Sequence, residues 1–380
     1  MTISCQRHLF DIPSDICYLN ASYMTPLTLK QAEVGEAALK RCMQPWTVSP
    51  QDFFDTVQPV KDLSARMFGV NPEDMAVIPS VSYGIASAAK NIKLEAGQKI
   101  ILLEHQFPSN VYEWRDLAEA QEASIITVPT PENHDWTSAI LEVLAEEGEA
   151  AGLLALANVH WSSGALFDLK AISVECRKNG VSLVLDLTQS AGAVPINLSE
   201  IDPDFAVIGS YKWMMGPYSM GVMYVPPRNQ QGRPLEQNWI ARKDSENFSQ
   251  LVDYKDGYQP GATRFDMGEK SNFILSPVYA EGIRQLLEWG VENIATSIDA
   301  LNMKLAAICV AAGFEPIETA YRSPNILGVH VGKRADEVLG KLKENNISAG
   351  IRGDMLRLAP HLWVNENDLD RFESVFKSLK

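Results

Sequence analysis

The sequence predicts an α/β fold built on a mainly parallel sheet of seven strands. Seven short runs rich in Val, Ile and Leu recur through the first two thirds of the chain. They cover residues 75–78, 99–103, 124–128, 152–156, 182–185, 205–208 and 221–225. Their apolar residues are continuous rather than alternating, which is typical of strands buried on both faces of a parallel sheet. Helical patterns at 111–120, 136–146 and 169–179 lie between them, and this alternation favours helices packed around the sheet.

The last third of the chain has a different pattern. A long segment of helical period begins at residue 277 and continues to about 312, broken only at Gly290. Strand-like pieces at 326–331 and 356–358 follow it, with helices predicted at 335–345 and 366–379. We therefore expect a large domain over residues 21–276 and a small α+β domain over 277–380. Residues 1–20 are expected to pack as an arm or with the small domain. The polar residues 226–261 predict a long irregular connection.

Composition and charge narrow the function classes. The 380 residues carry a formal net charge of −15 without a cluster of Lys and Arg, which argues against a nucleic-acid partner. The N-terminal residues lack the apolar core of a signal peptide, and no uninterrupted apolar run is long enough to span a bilayer. The five cysteines have no metal-ligand spacing, and their odd number argues against a disulfide framework. We expect a cytoplasmic protein without a membrane or metal partner.

Ionisable residues follow two successive predicted strands. Asp186 comes directly after residues 182–185, and Lys212 lies four residues after the run 205–208. In open α/β sheets, ligands bind beyond the carboxyl ends of the strands. A lysine forms an imine with the aldehyde of pyridoxal phosphate, and a carboxylate beside the pyridine nitrogen keeps that nitrogen protonated. A lone lysine is usually solvated and a lone strand-end Asp usually caps a turn. Their combination favours a site for pyridoxal phosphate.

The segments around this pair resemble the class V pyridoxal-phosphate enzymes. That family includes kynureninases, cysteine desulfurases, isopenicillin N epimerases and some aminotransferases. The resemblance rests on DLTQSAGAVPINLSEIDPDFAVIGSYKWMMGPYSMGVMYV, YLNASYMTPL, EHQFPSNVYEW and LRLAPHLWVNENDLDRF, and so spans nearly the whole chain. It implies the fold type I architecture, with a large cofactor-binding domain and a small C-terminal domain. SYKW and FPSN lie closest to the kynureninase branch.

The resemblance implies a catalytic core of three residues and a stacking ring. Lys212 matches the Schiff-base lysine, and Asp186 matches the partner of the pyridine nitrogen. Gln189 lies where the family places Gln or His near the cofactor's phenolic oxygen or imine. Phe107 matches the kynureninase residue that stacks on the cofactor ring, where desulfurases have His.

The resemblance also implies phosphate contacts. Val81 and Ser82 match the loop that supplies a backbone N–H and a hydroxyl, beside a helix expected to begin near Gly84. Tyr211 matches a phosphate-binding tyrosine just before the lysine. The further residues implied for the cofactor are Asn110, Ser163, Trp239 and Asn272.

Two of these further residues imply a second subunit. In the family, the residues matched by Trp239 and Asn272 can come from the partner in a dimer. The expectation is therefore a homodimer with its active site completed across the interface. Asn110 departs from the family pattern, because kynureninases carry Asp at that position.

Arg357 resembles the arginine that binds the substrate α-carboxylate. A guanidinium group grips a carboxylate with two parallel hydrogen bonds. A structural salt bridge is the simpler alternative, and Arg352 and Arg264 are weaker candidates for the same role. The implied substrate is a small amino acid.

Several reactions remain open. Transamination requires only that Lys212 return a proton to the cofactor. Kynureninase-like hydrolysis is supported by the SYK and FPS motifs and weakened by Gln189 and Asn110. Desulfuration requires a nucleophilic thiolate shortly before the carboxylate-binding arginine, and the nearest upstream cysteine, Cys309, lies in an apolar helical run. We expect an aminotransferase-like enzyme. The alternatives are a kynureninase-like hydrolase, a C–S or β-elimination lyase, and an epimerase.

Two other classes are disfavoured. A nucleotide-binding α/β protein would carry GxGxxG or GxxxxGK[ST], and neither motif occurs. A pyridoxal-phosphate-binding homologue without turnover is less favoured, because Lys212, Asp186 and Arg357 are present together.

Overall fold

A seven-stranded mixed sheet flanked by helices dominates the computed structural model, which describes residues 2–380. The elements up to the middle of the chain are β1 Cys17–Tyr18, α1 Leu29–Cys42, α2 Asp52–Asp55, α3 Gln58–Phe68, β2 Met75–Ile78, α4 Val81–Ala89, β3 Lys99–Leu103, α5 Tyr112–Ala120, β4 Ser124–Val128, α6 Trp136–Glu147, β5 Ala151–Ala157, α7 Leu169–Asn179, β6 Ser182–Asp186, α8 Leu198–Ile201, β7 Phe205–Gly209 and β8 Gly221–Tyr224.

The later elements form a second, smaller group. They are α9 Leu275–Trp289, α10 Val291–Ala311, β9 Glu315–Pro316, β10 Leu327–His330, α11 Ala335–Glu344, β11 Ile347–Ser348, β12 Gly350–Arg352, β13 Met355–Leu358 and α12 Glu366–Lys377. Short 3-10 helices occur at Arg7–Leu9, Pro45–Thr47, Pro72–Asp74, Pro108–Asn110, Gly148–Ala150, Pro227–Asn229, Phe248–Gln250, Gly261–Phe265 and Gly332–Arg334.

The main sheet has the strand order β2-β8-β7-β6-β5-β3-β4. Strand β8 runs antiparallel to both of its neighbours, and the other neighbouring pairs are parallel. The prediction of a mainly parallel seven-stranded sheet is confirmed, and each strand bound lies within one residue of its predicted position. The irregular connection predicted over residues 226–261 is also confirmed, since it holds only short 3-10 turns and one isolated β-bridge between Arg242 and Tyr258.

Two local predictions are wrong. Burial on both faces fails for β4, where Ser124 and Thr127 are exposed because this strand lies at the edge of the sheet. The helix expected near Gly84 begins earlier, at Val81. The hydroxyl of Ser80 caps α4 by accepting from the backbone N–H of Tyr83 at 3.2 Å, and this cap sets the start.

The C-terminal part contains a four-stranded antiparallel sheet in the order β12-β13-β10-β9. Gly290 separates α9 from α10, as the sequence predicts, and its φ of 78° ends the first helix. Strand β1 pairs in parallel with β11, which fixes the N-terminal segment to the C-terminal part. The domain limits at residues 21–276 and 277–380 stay a prediction.

Helix α10 is the described helix that is long and apolar enough to cross a membrane. Length and composition are weak evidence by themselves, because core helices meet the same criterion. One face of α10 is buried inside the protein, with Ile294, Ile298 and Leu305 fully covered.

A buried ion cluster ties the start of the main sheet to its surroundings. One carboxylate oxygen of Asp266 accepts from the ammonium groups of Lys61 on α3, at 2.9 Å, and of Lys270, at 2.8 Å. The other oxygen accepts from the backbone N–H of Val77 on β2 at 2.8 Å. The three charged side chains are buried, so the carboxylate compensates two cations that water does not reach.

Candidate active site

A cavity of about 220 Å³ opens at the carboxyl ends of the parallel strands. Asp186 at the end of β6 pairs in register with Ala157 of β5 and with Val207 of β7. This pairing places the three strand ends side by side, as expected for a ligand site in an open α/β sheet. The residues predicted for a cofactor that line this cavity are Val81, Ser82, Phe107, Asp186, Gln189, Tyr211 and Lys212.

Lys212 lies at the floor of this cavity, three residues beyond the end of β7. Its side chain is 8% exposed, and its Nζ lies 5.5 Å from the ring centroids of both Phe107 and Tyr211. Burial lowers the pKa of Lys212 to about 8, although the nearby Asp186 opposes this shift. The amine therefore exchanges its proton much more readily near neutral pH than an ordinary lysine.

Asp186 is held in place by the residue two positions further on. Its Oδ1 accepts from the backbone N–H of Thr188 at 3.0 Å, and the Thr188 hydroxyl accepts from the backbone N–H of Gly209 at 3.0 Å. Burial raises the pKa of Asp186, while the Thr188 hydrogen bonds and Lys212 act in the opposite direction. Thr188 was not predicted from the sequence. Its position directly after a strand, in DLTQ, is the signal that marks it.

Gln189 lines the cavity, but its side-chain amide is already paired within the protein. Its Nε2 donates to the carbonyl of Ser22 at 3.1 Å, and its Oε1 accepts from the indole N–H of Trp213 at 3.1 Å. Its backbone carbonyl accepts from Asn325 at 2.7 Å. Gln189 thus joins the N-terminal segment, the loop after β7 and the C-terminal part, and its contact with a cofactor stays a proposal.

The N-terminus of α4 forms another wall of the cavity. The first backbone N–H groups of a helix have no partner within the helix, and they favour an anion. The hydroxyls of Ser80 and Ser82 lie 3.0 Å apart beside them, and both residues line the cavity. The rings of Tyr211 and Tyr218 contact each other, with centroids 4.7 Å apart, and both line the same cavity. Backbone amides and hydroxyls together suit a phosphate group.

Arg357 lies on β13 and lines the outer mouth of the cavity together with Lys212. The side chain is 1% exposed, and its Nη1 donates to the carbonyl of Trp161 at 2.8 Å. Arg357 makes no ion pair within residues 2–380. The structural salt bridge that was the alternative role for this arginine is therefore not found there. Arg352 lines the same mouth, whereas Arg264 contacts Gly232 and does not line it.

Four residues predicted to contact a cofactor do not line this cavity. Asn110 is buried and accepts from the indole of Trp114 at 2.8 Å. Ser163 lies 3.1 Å from Nδ1 of His160. Trp239 packs against Phe53 and Phe248. The Oδ1 of Asn272 accepts from the backbone N–H of Leu275.

None of the five cysteines, all of which lie within residues 2–380, lines the cavity or its mouth. Cys17, Cys176 and Cys309 are buried, and burial raises the pKa of each thiol. Cys5 and Cys42 are exposed elsewhere on the chain. A thiolate is therefore not available beside Lys212 to act as a nucleophile.

Comparison with known proteins agrees with this geometry. The sequence pattern of the family described as Aminotransferase class-V matches residues 49–346. The chain is 24% identical to an uncharacterized aminotransferase, YcbU, of Bacillus subtilis over 80% of this chain and 79% of that protein. It is also 24% identical to a kynureninase of Bacillus cereus over 88% of this chain and 79% of that protein.

Solved structures share the fold at low sequence identity. The cystine C–S lyase C-DES in complex with cysteine persulfide matches with a TM-score of 0.85 at 18% identity, covering 96% of this chain and 97% of that one. A cysteine desulfurase from Thermococcus onnurineus matches with a TM-score of 0.85 at 16% identity, covering 100% and 99%. At this identity the likeness establishes the fold.

Proposed function

The chain belongs to the class V aminotransferase family, and on that basis we propose that it transfers an amino group between an amino acid and a 2-oxo acid. Like the family, it is a pyridoxal-phosphate-dependent enzyme of fold type I. The observation that carries the proposal is Lys212. It is the buried amine in the cavity, its pKa is lowered, and no thiol lies near it.

The donor set of the cavity fits pyridoxal phosphate. The N-terminus of α4, with Ser80 and Ser82, would hold the phosphate. Phe107 offers a flat ring for stacking, and the buried carboxylate of Asp186 would hold a proton on the pyridine nitrogen. Lys212 would hold the aldehyde carbon. When bound, the cofactor withdraws electrons from the α-carbon of an attached amino acid.

The residues of this chain then provide binding and proton transfer. Arg357, without an ion-pair partner at the cavity mouth, binds the α-carboxylate through its guanidinium group. Lys212 would take the α-proton on Nζ and deliver it to the cofactor's aldehyde carbon, because its pKa of about 8 allows either protonation state near neutral pH. Phe107 and Trp161 cover one side of this space, their ring centroids 5.5 Å apart, and limit the access of water.

Transamination requires no group beyond these. Hydrolysis or elimination at the β-carbon uses the same Lys212 and Arg357, and the likeness to a kynureninase keeps it as the second candidate. We also propose that the enzyme is a cytoplasmic homodimer. The exposed Trp239 and the capping residue Asn272 would then lie toward the partner's cavity.

An assay of the holoenzyme against a panel of amino acids tests this proposal. With pyruvate or 2-oxoglutarate as acceptor, we expect the amino acid product of the acceptor to appear in step with the oxo acid of the donor. Release of ammonia, sulfide or a β-cleavage product without any acceptor would identify a lyase or hydrolase instead.

A further inference from the structure

A second cavity, of about 370 Å³, adjoins the candidate active site at Trp161. It is lined by four of the chain's six histidines, namely His105, His134, His160 and His330. We call it the histidine chamber. Trp161 lines both cavities, and Arg352 lines both the chamber and the mouth that contains Lys212 and Arg357. A side chain on a substrate bound at that mouth therefore has a short path into the chamber.

Two of the histidines that line the chamber, His160 and His134, are largely buried in its wall. His160 is 3% exposed, and its Nδ1 lies 3.1 Å from the hydroxyls of Ser162 and Ser163. Its Nε2 makes no hydrogen bond of ordinary geometry. Burial lowers the pKa of His160, and the nearby backbone carbonyl of Glu104 acts in the opposite direction. His134 is 9% exposed and its Nδ1 is also unpartnered. Both nitrogens are fully covered and do not face the chamber. The more exposed imidazoles that line it are those of His105 and His330.

A metal ion does not explain these histidines. The Nε2 atoms of His134 and His330 lie 3.4 Å apart, but within residues 2–380 no group of three or more His, Cys, Asp or Glu is placed to hold a metal. The chamber is therefore better suited to an organic group that accepts hydrogen bonds from imidazole N–H groups.

Two arginines without carboxylate partners lie at the junction of the two cavities. Arg357 donates to the Trp161 carbonyl, and Arg352 donates to its neighbouring carbonyl at Ile351 and lies 5.7 Å from the Trp161 ring centroid. Neither makes an ion pair within the described residues, and Asp354, at the exposed rim of the chamber, is not paired with them. Two neighbouring cations destabilise each other, and two anionic groups on a ligand would relieve this repulsion.

We propose that the substrate is an α-amino acid with a second acidic group on its side chain. Arg357 binds the α-carboxylate, and Arg352, with the imidazoles of the histidine chamber, binds the side-chain anion. Arg352 is thus the residue that determines specificity. The inference rests on the proposed function for its α-carboxylate site, and it adds the substrate class.

Kinetics of acidic and neutral amino acids of equal size provide the first test. We expect wild-type kcat/KM for aspartate and glutamate to exceed that for asparagine and glutamine by roughly 10- to 100-fold, the range for a hydrogen-bonded charge. Arg352→Gln should remove this preference by lowering the values for the acids alone. Arg357→Gln should lower all four. Arg66→Gln, an exposed arginine on α3, is the control that should change none.

If the wild-type enzyme has the same kcat/KM for the amides as for the acids, the inference is overturned, whatever the variants do. An equal loss for acids and amides in Arg352→Gln would do the same. The visible absorption of the bound cofactor and the thermal midpoint show whether each variant is folded. If Arg352→Gln fails that check, Arg352→Lys replaces it, and we expect it to keep part of the preference because it keeps the charge.

A binding measurement separates this inference from the proposed function. Calorimetry on the holoenzyme compares glutarate, a dicarboxylate without an amino group, with butyrate. Glutarate should bind at least about 10-fold more tightly, and Arg352→Gln should abolish the difference. If no amino transfer is found but this difference holds, the acidic subsite stands and the proposed reaction fails. Equal binding of the two acids would reject the subsite.

Discussion

At the scale of single residues, Lys212 is defined by what surrounds it. The amine is buried between two aromatic rings, and its pKa is lowered to about 8 because burial disfavours the charged form. Asp186, one strand away, offsets part of this shift. In the proposed mechanism, the amine gives and takes a proton and the carboxylate keeps another proton in place.

Replacing Lys212 tests its assignment directly. Lys212→Ala removes the group that holds the cofactor and carries the proton, so we expect loss of the visible cofactor band and of turnover. Lys61→Met, a buried lysine outside the cavity, serves as the control and should keep the band if the variant folds. Survival of the band in Lys212→Ala would show that another residue holds the cofactor.

The lowered pKa of Lys212 predicts how cofactor uptake depends on pH. Only the neutral amine attacks an aldehyde, so uptake by the apoprotein should rise about tenfold per pH unit below about 8 and level above it. Stopped-flow absorbance across pH 6 to 10 measures this rate. An amine with the ordinary pKa of 10.5 would give a rate still rising steeply at pH 9, and that profile would contradict the lowered value.

At the scale of secondary structure elements, the site depends on where neighbouring strands end. Strands β6 and β7 are adjacent and parallel, so Asp186 and the loop that carries Lys212 leave the sheet at the same edge. The N-terminus of α4 reaches this edge because Gly84 lets the helix lie close to the sheet. A Cβ added at Gly84 would lie 2.5 Å from Cγ1 of Val207 on β7. Close packing therefore positions the anion-binding end of the helix.

The buried Asp266 connects α3, through Lys61, with β2, through Val77. We expect its replacement to cause a large loss of stability. Asp266→Asn leaves Lys61 and Lys270 buried without a compensating carboxylate, which costs about 3–5 kcal/mol. We expect a clear drop in the thermal midpoint of unfolding of the apoprotein, measured by circular dichroism. Glu33→Gln breaks only an exposed pair with Lys30 and should change the midpoint little. Equal midpoints for the two variants would show that the buried cluster is not stabilising.

At the scale of the whole molecule, the open question is the second subunit. Trp239 is 40% exposed and packs with Phe53, Phe54 and Phe248, outside its own chain's cavity. The apolar residues Trp46, Val252 and Tyr254 are also strongly exposed. Single exposed apolar side chains are common on protein surfaces and do not by themselves mark an interface. The proposed homodimer would cover Trp239.

The activity of mixed dimers tests whether Trp239 acts across the interface. Lys212→Ala and Trp239→Ala chains should each be impaired alone. If Trp239 serves the partner's site, each mixed dimer has one intact site out of two. About half of the dimers in an equal mixture are mixed, so the mixture regains about a quarter of wild-type activity. Activity after co-refolding, with the dimer verified by sedimentation, measures this. If activity does not return in verified mixed dimers, Trp239 acts within its own chain or has no role.

The sequence by itself determined the sheet and the cofactor pair. Continuous apolar runs define the strands, because burial on both faces, which holds for all of them except β4, leaves little choice of residue type. Asp186 ends β6 and Lys212 lies three residues beyond the end of β7, so local pattern and topology suffice to place them together.

Only the tertiary structure decided the surroundings of that pair. Gln189 is paired with Ser22, Trp213 and Asn325, which are distant in the chain and leave no local signal. The histidine chamber likewise draws on residues from 105 to 355. Its imidazoles carry no spacing motif, because they converge through folding rather than through periodicity. Local pattern therefore placed the candidate catalytic pair, and long-range packing determined the shape and charge of the space around it.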